Sequence, residues 1–150
     1  TVSNGRIVYC TGFSKGELWC VRPGGQGVVS DSHVEWKMKR SVSNKPSLLY
    51  SENSIFMIHD GGVASCIDLE NGKPVWQERV GGNYSASPIL NQGKIYFFSE
   101  EGKTTIINAS RQFKIEAVNH LKEGFMASPA VVGSSLVLRT KSSLYRIDGN

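Results

Sequence analysis

The sequence predicts an all-β chain folded as a partial β-propeller of about 3.5 four-stranded antiparallel blades. Three observations predict it. Short apolar runs recur at Ile7-Val8-Tyr9-Cys10, Ile55-Phe56-Met57-Ile58, Ile95-Tyr96-Phe97-Phe98 and Leu136-Val137-Leu138, with starts 48, 40 and 41 residues apart. Each run is apolar at consecutive positions, the pattern of a strand buried on both faces, as in a sheet stacked between two others. No stretch carries a competing helical period.

The elements of each unit follow in a fixed order. Prolines precede three of the runs, at Pro46, Pro88 and Pro129, separated by 42 and 41 residues. Around the last two the sequence nearly repeats itself, as Tyr84-Ser85-Ala86-Ser87-Pro88 and Phe125-Met126-Ala127-Ser128-Pro129, with Ser43-Asn44-Lys45-Pro46-Ser47 as a weaker copy. After the run comes a turn: Gly12-Phe13-Ser14-Lys15-Gly16, Asp60-Gly61-Gly62, Glu100-Glu101-Gly102 and Thr140-Lys141-Ser142. Glycine there supplies the positive φ of a short hairpin. A third strand follows at Leu18-Trp19-Cys20-Val21, Ala64-Ser65-Cys66-Ile67, Thr104-Thr105-Ile106-Ile107 and Leu144-Tyr145-Arg146-Ile147. A fourth carries Val34-Glu35-Trp36, Pro74-Val75-Trp76 and Phe113–Val118. The extra loop Pro23-Gly24-Gly25-Gln26-Gly27 lengthens the first unit, and no helix is expected beside it.

On this reading the chain opens at the second strand of one unit and closes at the third of another, giving fourteen strands in one domain. The blade segments are about 1–40, 41–82, 83–123 and 124–150. Propellers close with about four to eight blades, so one chain is an arc whose end blades expose apolar faces. The expectation is a fragment of a longer propeller, completed by the rest of its parent or by self-association through the open blade edges.

Composition excludes several classes. With 39% hydrophobic and 20% charged residues the chain is not disordered, and no apolar run approaches a membrane span. Seventeen basic and 13 acidic residues give a net charge of +4, too scattered for a nucleic-acid footprint. The densest basic spot, Lys37-Met38-Lys39-Arg40, reads as a solvated strand end. Three cysteines, Cys10, Cys20 and Cys66, preclude a full disulfide framework. Cys10 and Cys20 are either bridged across one hairpin or free, and free buried thiols are the reading preferred here.

The search for chemistry finds no catalytic residue, cofactor site or metal site. His33, His59 and His120 lack a local zinc spacing. Asp31, Asp60, Asp68, Glu100 and Glu101 are the candidate oxygen ligands for calcium, but Glu100-Glu101 reads as a solvated hairpin tip. His59-Asp60 sits at the analogous tip. Gly24-Gly25-Gln26-Gly27 has no following Lys-Ser/Thr, and Ser14 and Ser128 have no nucleophile-elbow context. Three aromatics fall at turns or strand entries: Phe13, Tyr84 and Phe125. Tyr84 and Phe125 share one repeat position, read as packing at the blade entry, with a partner-facing ring at the propeller mouth as the alternative.

The sharpest motif is Cys66-Ile67-Asp68-Leu69-Glu70-Asn71-Gly72-Lys73-Pro74-Val75-Trp76. It resembles the repeat of PQQ-like β-propellers, small-x-Asp-x-x-x-Gly-Lys-x-x-Trp, known in that family as a tryptophan-docking motif. Asp68, Gly72, Lys73 and Trp76 match it, Trp36 is the copy in the first unit, and Pro88 and Pro129 mark the later ones. The third unit departs from it, with Asn108 for Asp and Ala117 near the Trp position. The resemblance implies Trp76 packed between blades and Asp68 tying the turn. Of the groups it spans, the BamB-like one implies a non-catalytic, protein-binding or scaffold domain of a bacterial protein, periplasmic or otherwise extracytoplasmic, with no cofactor. Two alternatives are a fragment of a PQQ-dependent quinoprotein dehydrogenase, expected to carry an adjacent cysteine pair that this chain lacks, and a sensor domain of a receptor or kinase.

Overall fold

A computed structural model describes residues 1–12 and 15–149. Its fifteen strands form four separate antiparallel sheets. Blade one holds β1 (Val2–Ser3), β2 (Arg6–Thr11), β3 (Glu17–Val21) and β4 (Val34–Met38). Blade two holds β5 (Leu49–Ser51), β6 (Ser54–Ile58), β7 (Val63–Asp68) and β8 (Pro74–Arg79). Blade three holds β9 (Ile89–Asn91), β10 (Lys94–Phe98), β11 (Lys103–Asn108) and β12 (Ile115–His120). Blade four has three strands, β13 (Ala130–Val132), β14 (Ser135–Arg139) and β15 (Leu144–Asp148). The molecule is a partial propeller.

Three expectations need correction. The described residues form fifteen strands, not fourteen, because Val2 and Ser3 pair with Ile7 and Arg6 as a first strand for blade one. Two residues are too few to leave a pattern in sequence. One helical turn, α1 (Ser30–His33), follows the Pro23–Gly27 loop where none was expected. The Val29 carbonyl accepts from Ser32 and His33 N–H, and Arg22 holds the turn through the Ser32 and His33 carbonyls. Pro46 also does not share the repeat position of Pro88 and Pro129. The pairs Tyr50↔Ile55, Leu90↔Ile95 and Val131↔Leu136 place Leu48 opposite Pro88 and Pro129 in the repeat, and align Ser47 with Ser87 and Ser128. In the first hairpin turn, Phe13 and Ser14 lie outside the described residues.

Blades stack face to face, and three apolar seams hold them. In the first, Val8, Leu18 and Cys20 of blade one meet Ile55, Met57 and Ile67 of blade two. In the second, Phe56, Ile58, Ala64 and Cys66 of blade two meet Ile95, Phe97 and Ile107 of blade three. Strand β6 therefore turns alternate side chains to opposite neighbours, and all five of its residues are buried. That is why Ile55–Ile58 is continuously apolar rather than alternating. The third seam is thinner: Ala86 and Phe98 meet Phe125 and Leu138, four buried residues against eight in each of the others.

Candidate functional site: blade seams and the hairpin-tip face

The motif residues sit where one blade meets the next. Trp36 lies opposite Cys20 on β3, just before a bulge at Cys20/Val21. Trp76 lies opposite Cys66, before the same bulge at Cys66/Ile67, and Ala117 lies opposite Ile106, before the one at Ile106/Ile107. The bulge turns each outer strand so that its side chain leans onto the following blade. Trp36 Nε1 donates to the Leu69 carbonyl at 2.8 Å, and Trp76 Nε1 donates to the Ser110 carbonyl at 3.0 Å. Both acceptors belong to the β-turn of the next blade.

The turn that receives Trp36 is built by the motif. Asp68 Oδ1 accepts from Glu70 N–H at 3.0 Å, Asn71 Oδ1 accepts from Lys73 N–H at 2.9 Å, and Gly72 N–H closes on the Asp68 carbonyl. Gly72 has φ +68°, and a Cβ there would lie 2.5 Å from two carbons of the Trp36 ring. Glycine is required on both counts: a left-handed backbone and a flat surface for the indole. Lys73 is exposed beside it. Asp68 Oδ2 also meets Arg111 of blade three at 2.9 Å. Partial burial raises the Asp68 pKa, but Arg111 and the turn amides outweigh it and hold the group below its ordinary value. In blade three the register places Phe113 where Gly72 would fall, with one more residue in the turn. Trp76 packs edge-on against Phe113, ring centroids 5.0 Å apart, and against Phe56 at 6.1 Å.

The opposite rim, where the hairpin tips meet the interblade links, is polar. Ser47 N–H donates to Ser87 Oγ at 3.0 Å, and Ser87 N–H donates to Ser128 Oγ at 2.9 Å. This ladder steps from blade to blade, beside buried Pro88 and half-buried Pro129. Sequence reasoning missed it, although the 40- and 41-residue spacing of these serines was visible, because Pro46 suggested a different alignment. Asp60 accepts from the backbone N–H of Asn44 at 3.0 Å and of Lys45 at 3.2 Å. Glu101 accepts from Asn83 N–H at 3.1 Å and Asn83 Nδ2 at 2.8 Å. Partial burial pushes the Glu101 pKa up, and the bonds from Asn83 and Ser99 more than reverse this. Glu123 is held low by Ser142 and Thr140. Lys45 Nζ reaches Ser85 Oγ at 3.2 Å, and Ser85 in turn donates to Glu100.

The aromatic pair at the blade entries is inside the protein. Tyr84 and Phe125 are buried, so the partner-facing alternative does not hold for either ring. Tyr84 Oη donates to the Gly81 carbonyl at 3.0 Å, and burial pushes its pKa up to about 12. Phe125 packs edge-on against Phe98 at 5.5 Å. The three thiols are free. Cys10 stands opposite Leu18, and Cys20 opposite Val8. Burial pushes Cys10 and Cys20 up to about 11 and raises Cys66, which makes them packing groups rather than nucleophiles.

The donor set does not fit a calcium-bound quinone. Asp60, Asp68 and Glu101 spend their oxygens on backbone amides, on the side-chain amides of Asn44 and Asn83, or on Arg111. Among the described residues no three His, Cys, Asp or Glu side chains come together as a metal site. Among the described residues no helix is long and apolar enough to cross a membrane.

Four stacked antiparallel sheets with tryptophans docked on neighbouring turns define a β-propeller built of PQQ-like repeats. The chain belongs to the family described as outer membrane protein assembly factor BamB, whose profile matches residues 2–150. Its structure is similar to the crystal structure of BamB from Moraxella catarrhalis, with a TM-score of 0.73 at 20% identity, over 96% of this chain and 43% of that one. It is also similar to a europium-containing methanol dehydrogenase, with a TM-score of 0.62 at 13% identity, over 79% of this chain and 23% of that one. The chain thus spans less than half the length of either protein. No curated protein matches it.

Proposed function

We propose that this chain is a non-catalytic, extracytoplasmic part of a BamB-like propeller that works by binding protein. The observation that carries the reading is the fate of the polar groups on the hairpin-tip rim. Asp60, Glu101, Glu123 and the serine ladder tie links, tips and blades together and leave no convergent set of acids and bases. Such a rim is a rigid rack for loops, and loops on a rigid rack are what binding propellers present. The family match supports the same reading. A test is deletion of the encoding gene in its bacterial host, followed by quantitation of outer-membrane β-barrel proteins. Reduced levels, restored by the intact gene, are expected; unchanged levels overturn the BamB-like reading.

The methanol dehydrogenase likeness supports the fold alone. If the parent protein is instead a quinoprotein, adding PQQ and calcium to it should shift the quinone absorbance and support dye reduction. We expect neither.

A further inference from the structure

The third seam lacks the indole that anchors the other two. Trp36, Trp76 and Ala117 hold one repeat position, opposite Cys20, Cys66 and Ile106. Where the first two carry a bicyclic ring, Ala117 carries a methyl group, and a cavity of about 240 Å³ lies between blades three and four. Tyr96 and Ile106 line it, in the places that Phe56 and Cys66 take beside Trp76 in the second seam. Leu136 and Leu138 of blade four line it as well. The Tyr96 and Phe98 rings, 6.5 Å apart and 12° from parallel, make up an aromatic wall. Ala117 and this wall lie inside blade three, away from both ends of the sequence.

The same cavity carries a polar group that the protein leaves unsatisfied. Thr104, opposite Phe98 on β11, lines it and is only 8% exposed. Among the described residues its hydroxyl makes no hydrogen bond. The equivalent residues in blades one and two are Leu18 and Ala64, both buried and apolar. Blade three thus places a hydroxyl where the blades before it place hydrocarbon. A buried hydroxyl without a partner is costly, and a ligand that bonds it recovers the loss. Asn119 and His120 are exposed lining residues and mark the mouth.

We propose that this cavity binds a small planar aromatic molecule of the indole type, its ring against Tyr96 and Phe98 and its N–H donated to Thr104 Oγ1. Size and lining agree. A cavity of about 150 Å³ lined by aliphatic and aromatic side chains takes a benzene ring, and drug-sized ligands occupy about 300 Å³ or more. A volume of about 240 Å³ therefore suits one bicyclic ring without an attached peptide backbone. Apolar walls with few, well-placed polar groups are what small-molecule sites are made of. The first two seams already seat an indole at the equivalent position, with its N–H bonded. The site does not rest on the protein-binding reading above, and either can fail without the other.

Titration calorimetry with indole, on the full protein that carries these blades, tests this. Saturable binding is expected, with a dissociation constant below about 1 mM. Thr104→Val keeps the side-chain shape, removes the hydroxyl and is expected to weaken binding about three- to tenfold. Ala117→Trp sets the chain's own indole into the seam, and is expected to abolish binding and raise the urea midpoint. Circular dichroism checks that both variants fold; if Ala117→Trp does not, Thr104→Val decides. N-acetyltryptophanamide, the same ring on a peptide backbone, is expected to bind more weakly than indole. Absence of saturable indole binding overturns the proposal. So does binding that Thr104→Val leaves unchanged, or that survives in folded Ala117→Trp. Tighter binding of N-acetyltryptophanamide than of indole overturns it in favour of a tryptophan side chain delivered by a partner protein.

Discussion

Replacing Trp76 with alanine removes three things at once from the second seam. The indole loses its edge-on contact with Phe113 at 5.0 Å and its tilted contact with Phe56 at 6.1 Å. Its N–H bond to the Ser110 carbonyl, 3.0 Å long, is lost as well. A fully buried large aromatic costs about 3–5 kcal/mol on truncation to alanine. Trp76 is only half-buried, which lowers the transfer part, but each aromatic pair adds about 0.5–1.5 kcal/mol and the hydrogen bond about 1 kcal/mol. The expected loss is about 2–4 kcal/mol. Trp76→Phe keeps most ring contact and loses the bond, so about 1 kcal/mol is expected. Urea unfolding followed by far-ultraviolet circular dichroism reads both values, with unchanged slope as the check that the same transition is compared. A loss below about 1 kcal/mol for Trp76→Ala would refute the docking argument, because no anchored indole of this size is so dispensable.

Other outcomes follow from the same geometry. Gly72→Ala meets both a φ of +68° and the Trp36 ring at 2.5 Å, and is expected to cost about 1–3 kcal/mol, read by the same urea assay; a neutral result would show that Trp36 does not rest there. Asp68 and Glu101 are held below their ordinary values of 3.8 and 4.5, so the folded chain binds fewer protons than the unfolded one in acid. Their contribution is complete above those ordinary values and is lost as pH falls through the depressed folded ones. The urea midpoint should hold steady from neutrality down to about pH 5 and fall below about pH 4, with a shallower fall in Asp68→Asn. Cys20 and Cys66 are buried, and native protein at mildly alkaline pH should leave them unreactive toward an aromatic disulfide until denaturant is added; rapid reaction of both would place them at the surface.

Much of the fold was legible because it repeats. Val21, Ile67, Ile107 and Ile147 recur at one position opposite Ile7, Ile55, Ile95 and Leu136, and the structure pairs them so. The continuously apolar Ile55–Ile58 announced burial on both faces. What escaped notice had weaker local causes. β1 is held by pairing to β2 rather than by any pattern of its own. Pro46 lay close to the repeat spacing and drew the alignment two residues off the serine ladder. Tyr84 and Phe125 fall on links between strands, where sequence offers no periodicity to tell an inward ring from an outward one.

The thin third seam has a consequence for how the chain comes apart. Each blade touches only its neighbours, so the arc behaves as a short one-dimensional stack whose cohesion is the sum of its junctions. Ala117 offers blade four no indole, where Trp36 and Trp76 anchor the blades before it. The weakest junction is thus the third, and opening there exposes the least apolar surface for the order lost. Amide exchange should run as a gradient, fastest in β13–β15 and slowest in β6 and β7, so that these blades part first at the third seam rather than melting everywhere at once.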